Sequence, residues 1–149
     1  MNFAYTEEQQ AIATLANQIL GDQVTADELK AFDMWQSPRF DQALWQQLAQ
    51  AGLLGIAVAE NLGGMGYGFA ELNVFLEACG RVLAPVPAIE TTVAALALAN
   101  FGGERAEETL CQVAAGQVVL SAAIFEENQY DPADAQTTFA HGALRGKKL

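Results

Sequence analysis

The chain has 149 residues, enough for one domain with a core of its own, or for one domain and part of a second. It is 52% hydrophobic and carries 18 acidic against 7 basic side chains, a formal charge of -11, which argues against nucleic-acid binding because phosphate contact needs clustered Lys and Arg. No apolar run nears the ~20 residues of a bilayer span, and the opening Met1-Asn2-Phe3-Ala4-Tyr5-Thr6 lacks the basic and apolar parts of a targeting segment, so a cytoplasmic protein without a membrane span is expected.

Thr6-Glu7-Glu8-Gln9 is a capping box, in which the Thr hydroxyl accepts from the third amide and Gln9 reaches back. Ile12, Leu15, Ala16 and Ile19 follow at helical spacing, with Gly21 as the expected stop. A short helix is expected from Thr25 to Phe32, then a loop holding Met34 and Trp35. Ser37-Pro38 reads as the next start, and Phe40, Leu44, Leu48 and Ala51 line one face up to Gly52, a suitable left-handed cap. An apolar run over residues 53–58 leads into Glu60-Asn61-Leu62-Gly63-Gly64-Met65-Gly66-Tyr67-Gly68. Four glycines so close together imply backbone torsions forbidden to other residues, or close approach of another group.

Leu72, Phe75, Leu76, Cys79 and Leu83 trace a further buried stripe that ends before Pro85. Pro87 opens an Ala-rich helix through Val93, Leu96, Ala97 and Phe101, stopped by Gly102-Gly103. A last helix starts near Glu104, carries Leu110 and Val113, and closes at Gly116. Five or six helices with short connectors make an all-α helical bundle. The period then changes: residues 118–125, 137–140 and 143–149 read as extended. The expectation is a helical domain over residues 1–116 and, over 117–149, the first strands of a β-domain that the chain does not finish, hence the front part of a longer protein. Cys79 and Cys111 lack metal-ligand spacing and read as buried reduced thiols.

Taken in order, the opening Thr6-Glu7-Glu8-Gln9, the run from Trp45 through Leu53-Leu54-Gly55, the glycine loop, Glu77-Ala78-Cys79-Gly80-Arg81, Pro85-Val86-Pro87, Gly116-Gln117-Val118-Val119 and Gly146-Lys147-Lys148 resemble the amino-terminal helical domain of the acyl-CoA dehydrogenases. The resemblance covers nearly the whole chain, and it implies that a β-domain and a second helical domain follow. It implies a flavoenzyme that uses FAD to oxidise an acyl-CoA thioester to the 2,3-enoyl-CoA. It also implies electron-transfer flavoprotein as electron acceptor, and a homo- or hetero-oligomer. In this family the base, a glutamate, belongs to the last domain, so no residue here is assigned as catalytic and the 149-residue piece alone is expected to be inactive and free of FAD.

The resemblance further implies cofactor-binding positions at Ile124, Phe125 and Glu126: counted without gaps from Gly116, Phe125 occupies the Thr and Glu126 the Glu of the family's Thr-Glu-Pro, which a Gly-Ser-Asp loop follows. Here the loop reads Glu127-Asn128-Gln129-Tyr130-Asp131-Pro132 and lacks the Gly-Ser that would make the usual hydroxyl contacts. An unusual substrate, flavin held mostly by a partner subunit, and a poorly flavin-binding paralogue all stay open. Glu90, Ala94 and Ala97 fall where family members line the acyl end of the pocket. The plain alternative for Glu90 is a first-turn glutamate complementing the helix dipole.

Trp45 reads as a core or interdomain anchor, and Tyr67 as a packed aromatic or one that orders the glycine loop near a ligand. His141 is the single histidine and sits beside Gly142 in a turn, which leaves no metal site or catalytic triad to build. Two further functions stand beside the dehydrogenase: a non-catalytic or half-site subunit of a heteromeric acyl-CoA dehydrogenase, and a cofactor-free helical interaction module.

Overall fold

Thr6 caps the first helix as its sequence requires: the Gln9 amide donates to Thr6 Oγ1 (3.2 Å) and the Thr6 amide to Gln9 Oε1 (3.1 Å). In this computed structural model, which describes residues 4–33, 40–127 and 131–148, helix α1 spans Glu7–Gln23. It runs through Gly21 and ends at Val24, because Ile12, Ala16 and Leu20 are buried along it. That packing outweighs the ~0.5–1 kcal/mol a helical glycine costs. Helix α2 (Ala26–Asp33) follows. Helix α3 (Gln42–Gln50) is capped by Asp41 Oδ1, which accepts from the Leu44 amide (2.9 Å). The start expected at Ser37-Pro38, the loop of Met34 and Trp35, and Asn128 to Tyr130 lie outside the described residues.

Gly52 takes φ 77 after α3, the left-handed cap its position called for. The glycine loop then folds back on the preceding segment: the Met65 amide donates to Gly55 O (2.9 Å), Gly66 to Val58 O (2.8 Å) and Tyr67 to Ile56 O (2.9 Å). A side chain on Gly64 would overlap the Val58 carbonyl. The glycines therefore serve a close approach of two backbones inside the fold.

Helix α4 (Phe69–Val82) packs along α1. Gln9 Nε2 to Glu71 Oε1 (2.9 Å) and Tyr5 OH to Glu77 Oε2 (3.0 Å) tie the pair. Helix α5 (Ala88–Phe101) and helix α6 (Glu107–Ala114) complete the bundle. One buried cluster gathers Leu20, Leu44, Trp45, Leu48, Leu53, Leu72 and Phe75; a second joins Val58, Ala95, Leu110 and Val113. Trp45 is a core residue, and the Phe40 ring meets its edge at 6.0 Å. Tyr67 is 39% exposed.

Two expected core positions are corrected. Leu83 is 74% exposed, because it is the residue that closes α4: at φ 55 its amide returns to Gly80 O, and the Ala84 amide to Cys79 O. That left-handed cap turns its side chain off the buried stripe. Cys111 is exposed while Cys79 is buried, since α6 faces inward with Leu110, Val113 and Ala114.

After Gly116 the expected change of period occurs late. Strands β1 (Thr138–Ala140) and β2 (Ala143–Arg145) form an antiparallel hairpin with Phe139 opposite Leu144. Its two-residue turn is His141 (φ 52) and Gly142 (φ 75), the positive-φ pair a tight hairpin needs. Residues 118–125 are a correction: they form no strand, despite their β-branched composition. A strand exists by pairing, and no described residue offers this segment a backbone ladder. Among the described residues no helix is long and apolar enough to cross a membrane.

Candidate functional site

Helix α5 is unusual in being apolar outside as well as inside. Ile89 (55% exposed), Val93 (40%) and Phe101 (89%) share one outward row with Ala97 at four-residue spacing. Such a row on a surface marks a place that something apolar covers. The helix also borders two open clefts. The larger, about 580 Å³, is lined by Phe40, Pro85, Val86, Pro87, Glu90 and Val119. The smaller, about 390 Å³, is lined by Ala94, Ala97, Leu98, Phe101, Leu120 and Ala122.

The segment leaving α6 runs between those clefts; besides the bonds from the Gln117 amide to Gln112 O (2.9 Å) and from Lys148 Nζ to Ile124 O (3.3 Å), three places hold it. At Gly116 (φ 67) the carbonyl accepts from Trp45 Nε1 (3.1 Å) and Gln46 Nε2 (2.9 Å). At Leu120 both backbone groups meet one side chain: Thr91 Oγ1 donates to Leu120 O (3.2 Å) and accepts from the Leu120 amide (3.2 Å). Thr91 is fully buried. The third place is Glu126, 7% exposed. Its Oε2 accepts from the Gln136 amide (2.7 Å), and its Oε1 from the Thr137 amide (3.0 Å), Thr137 Oγ1 (2.5 Å) and Lys148 Nζ (2.8 Å). The Lys148 ammonium first, then the Thr137 hydroxyl and the Gln136 amide, hold the Glu126 carboxyl down to about 2. Glu127 points away and pairs at the surface with Lys147 (3.1 Å).

Among the residues singled out from the sequence, Ala94 and Ala97 line one cleft and Glu90 the other. Glu90 is exposed in the first turn of α5. Ile124 (47%) and Phe125 (68%) expose apolar surface, which suits the face of a flat aromatic ring such as a flavin. The Glu126 carboxylate is engaged by its own chain at both oxygens. Its role in this fold is to pin residues 136–137 and 148 to the end of the exit segment. Sequence reading missed the contacts made by Thr91, Gln46 and Lys148; Thr91 reads from sequence only as a small residue of the cavity wall beside Ala94 and Ala97. Thr91 had a visible signal: with Thr92 it forms a β-branched polar pair inside an Ala-rich helix, where such residues are disfavoured unless their hydroxyls are used.

The fold and these features have known counterparts. A family model described as "Acyl-CoA dehydrogenase, N-terminal domain" matches residues 6–117. The chain is 35% identical over 144 residues to the acyl-CoA dehydrogenase FadE27 of Mycobacterium tuberculosis, a match that covers 95% of this chain and 38% of that protein. Among solved structures, a variant of the Tcur3481–Tcur3483 steroid ACAD superposes with a TM-score of 0.81 at 41% identity, over 88% of this chain and 36% of that one. The ChsE4–ChsE5 complex from Mycobacterium tuberculosis gives 0.79 at 34% identity, over the same shares of 88% and 36%. The chain thus spans well under half the length of the proteins it matches.

Proposed function

Because this chain belongs to the acyl-CoA dehydrogenase family, we propose that it is the amino-terminal part of an FAD-dependent enzyme that oxidises an acyl-CoA thioester to the 2,3-enoyl-CoA. Residues 1–116 are its helical domain and 117–149 the beginning of its β-domain. The observation that carries this reading is the apolar outer row and paired clefts of α5, in a chain whose residues 6–117 match the family. Glu90, Ala94 and Ala97 line the acyl end, and the α5 clefts shield the thioester's acyl group from water. Ile124 and Phe125 hold one face of FAD, which when bound supplies the hydride acceptor. The electrons pass to an electron-transfer flavoprotein, and the enzyme works in the cytoplasm.

A second observation narrows this reading. The two solved structures named above are two-component assemblies by name, and one of them is a steroid ACAD. That likeness favours a heteromeric enzyme acting on a bulky, steroid-type acyl-CoA, with the partner subunit completing the flavin contacts that the loop after Glu126 does not supply. The test is to express the intact protein alone and with candidate partner subunits, supply short, long and steroid acyl-CoAs with an artificial electron acceptor, and read the products by mass. Loss of two hydrogens from an acyl-CoA is the expected result. The absence of that product in every combination would overturn the assignment.

A further inference from the structure

We propose that Thr91 is a specificity-determining positioning residue: its hydroxyl pins Leu120 onto α5 and so fixes the ridge that keeps the two α5 clefts apart. This rests on the reading of those clefts as the acyl-binding side of an acyl-CoA dehydrogenase. Val119 lines the larger cleft, whereas Leu120 and Ala122 line the smaller. The ridge between the two volumes is therefore the exit segment itself. Residues 118–125 have no strand pairing to hold them, and Leu120 is where the bundle grips them between Gly116 and Glu126.

A single hydroxyl can donate and accept at once, so Thr91 satisfies both backbone groups of one residue 29 positions away. Its neighbour shows that this is not what every helical threonine does: Thr92 Oγ1 donates to Ala88 O (2.7 Å) within its own helix. Because Thr91 is fully buried, water does not compete for its two bonds. Without the hydroxyl, residues 119–122 lose their register on α5, and the wall shared by the two clefts moves with them. The consequence falls on which acyl groups fit, while the reacting atoms are untouched.

The experiment compares Thr91→Val, which keeps the shape and removes the hydroxyl, with Thr91→Ser, which keeps the hydroxyl, in the intact protein. Two readouts are taken: hydrogen exchange of the Leu120 amide, and the ratio of kcat/KM for a bulky over a short unbranched acyl-CoA. For Thr91→Val, Leu120 exchange should rise by at least about tenfold. The preference ratio should change by about tenfold, carried by KM with kcat nearly constant. Thr91→Ser should leave both close to those of the unsubstituted protein. The pin is overturned if the Leu120 amide of the unsubstituted protein exchanges as fast as those of Val119 and Ser121, a measurement that stands even if Thr91→Val does not fold. The specificity claim is overturned if Thr91→Val frees Leu120 without moving the preference ratio. An intact protein that oxidises no acyl-CoA overturns the functional reading and the specificity claim together, and a protected Leu120 in that protein would locate the failure in the function and not in the pin.

Discussion

Gly116 and Ala49 give the sharpest energetic test of how the chain leaves the helical bundle. Gly116 sits at φ 67 with its carbonyl held by Trp45 and Gln46, and a methyl placed on it would lie 2.6 Å from Ala49 Cβ. Ala49 belongs to the last turn of α3 and has no rotamer by which to retreat. The left-handed torsion alone costs a non-glycine residue about 1–2 kcal/mol, and overpacking against a fixed backbone adds about 1–3 kcal/mol. Gly116→Ala should therefore lower stability by about 2–5 kcal/mol. Ala49→Gly by itself should cost about 0.5–1 kcal/mol, the usual penalty for glycine in a helix. In the double variant the collision is gone while the torsion remains. Its loss should thus fall short of the sum of the two single losses by about 1–3 kcal/mol. Urea unfolding followed by circular dichroism measures all three, provided the m-value stays constant. Additivity to within about 0.5 kcal/mol would refute the reasoning, since it would mean that the backbone absorbs the methyl and only the torsion matters.

Three other outcomes follow from the geometry. Glu126 has its folded pKa depressed to about 2 by Lys148, Thr137 and the Gln136 amide, below an unfolded value of about 4.3. Its ionised form therefore contributes stability that is fully present above the unfolded value and is lost as pH falls through that window. Glu126→Gln should remove this acid limb, seen as loss of the acid-dependent drop in protection of the Gln136 and Thr137 amides, measured as exchange relative to the intrinsic rate at each pH. In the native chain a thiol-alkylating reagent should label Cys111, which is exposed, and spare Cys79, whose burial pushes its thiol up to about 12; peptide mapping checks this. Ala94 is itself buried (7% exposed) at the wall of the 390 Å³ cleft; Ala94→Leu should send its added volume into the cleft, so that the melting temperature barely moves while activity on bulky acyl-CoAs falls relative to short ones by about tenfold. A large fall in melting temperature would instead place Ala94 in packed core, where overpacking costs about 1–3 kcal/mol.

Local chemistry was the most legible part of the sequence. The capping box at Thr6 and Gln9, the left-handed cap at Gly52 and the His141-Gly142 turn each depend on a few neighbouring residues, and each is present in the structure. The helical stripes also placed Leu44, Leu48, Leu72 and Phe75 in the core. What failed depends on partners distant in sequence. Residues 118–125 have strand-like composition, yet a strand needs a neighbour, and the segment is held here by Thr91 instead. Leu83 fits a helical stripe, but the turn that ends α4 carries it outward. Cys111 shows that an apolar type can occupy an outer face when Leu110 and Val113 already fill the inner one. Within the candidate site, small residues at Ala94 and Ala97 could be read as a cavity wall. The 29-residue reach from Thr91 to Leu120 and the 22-residue reach from Glu126 to Lys148 could not, because nothing local encodes them.

The most direct measurement of the central assignment is an anaerobic titration of the intact protein, alone and with candidate partner subunits, with a steroid-type acyl-CoA while visible flavin absorption is followed. Flavin that co-purifies with the intact assembly and bleaches on addition of the acyl-CoA is the expected result. Flavin absent from every preparation, or flavin present that no acyl-CoA bleaches, would contradict the assignment of this chain to a working acyl-CoA dehydrogenase.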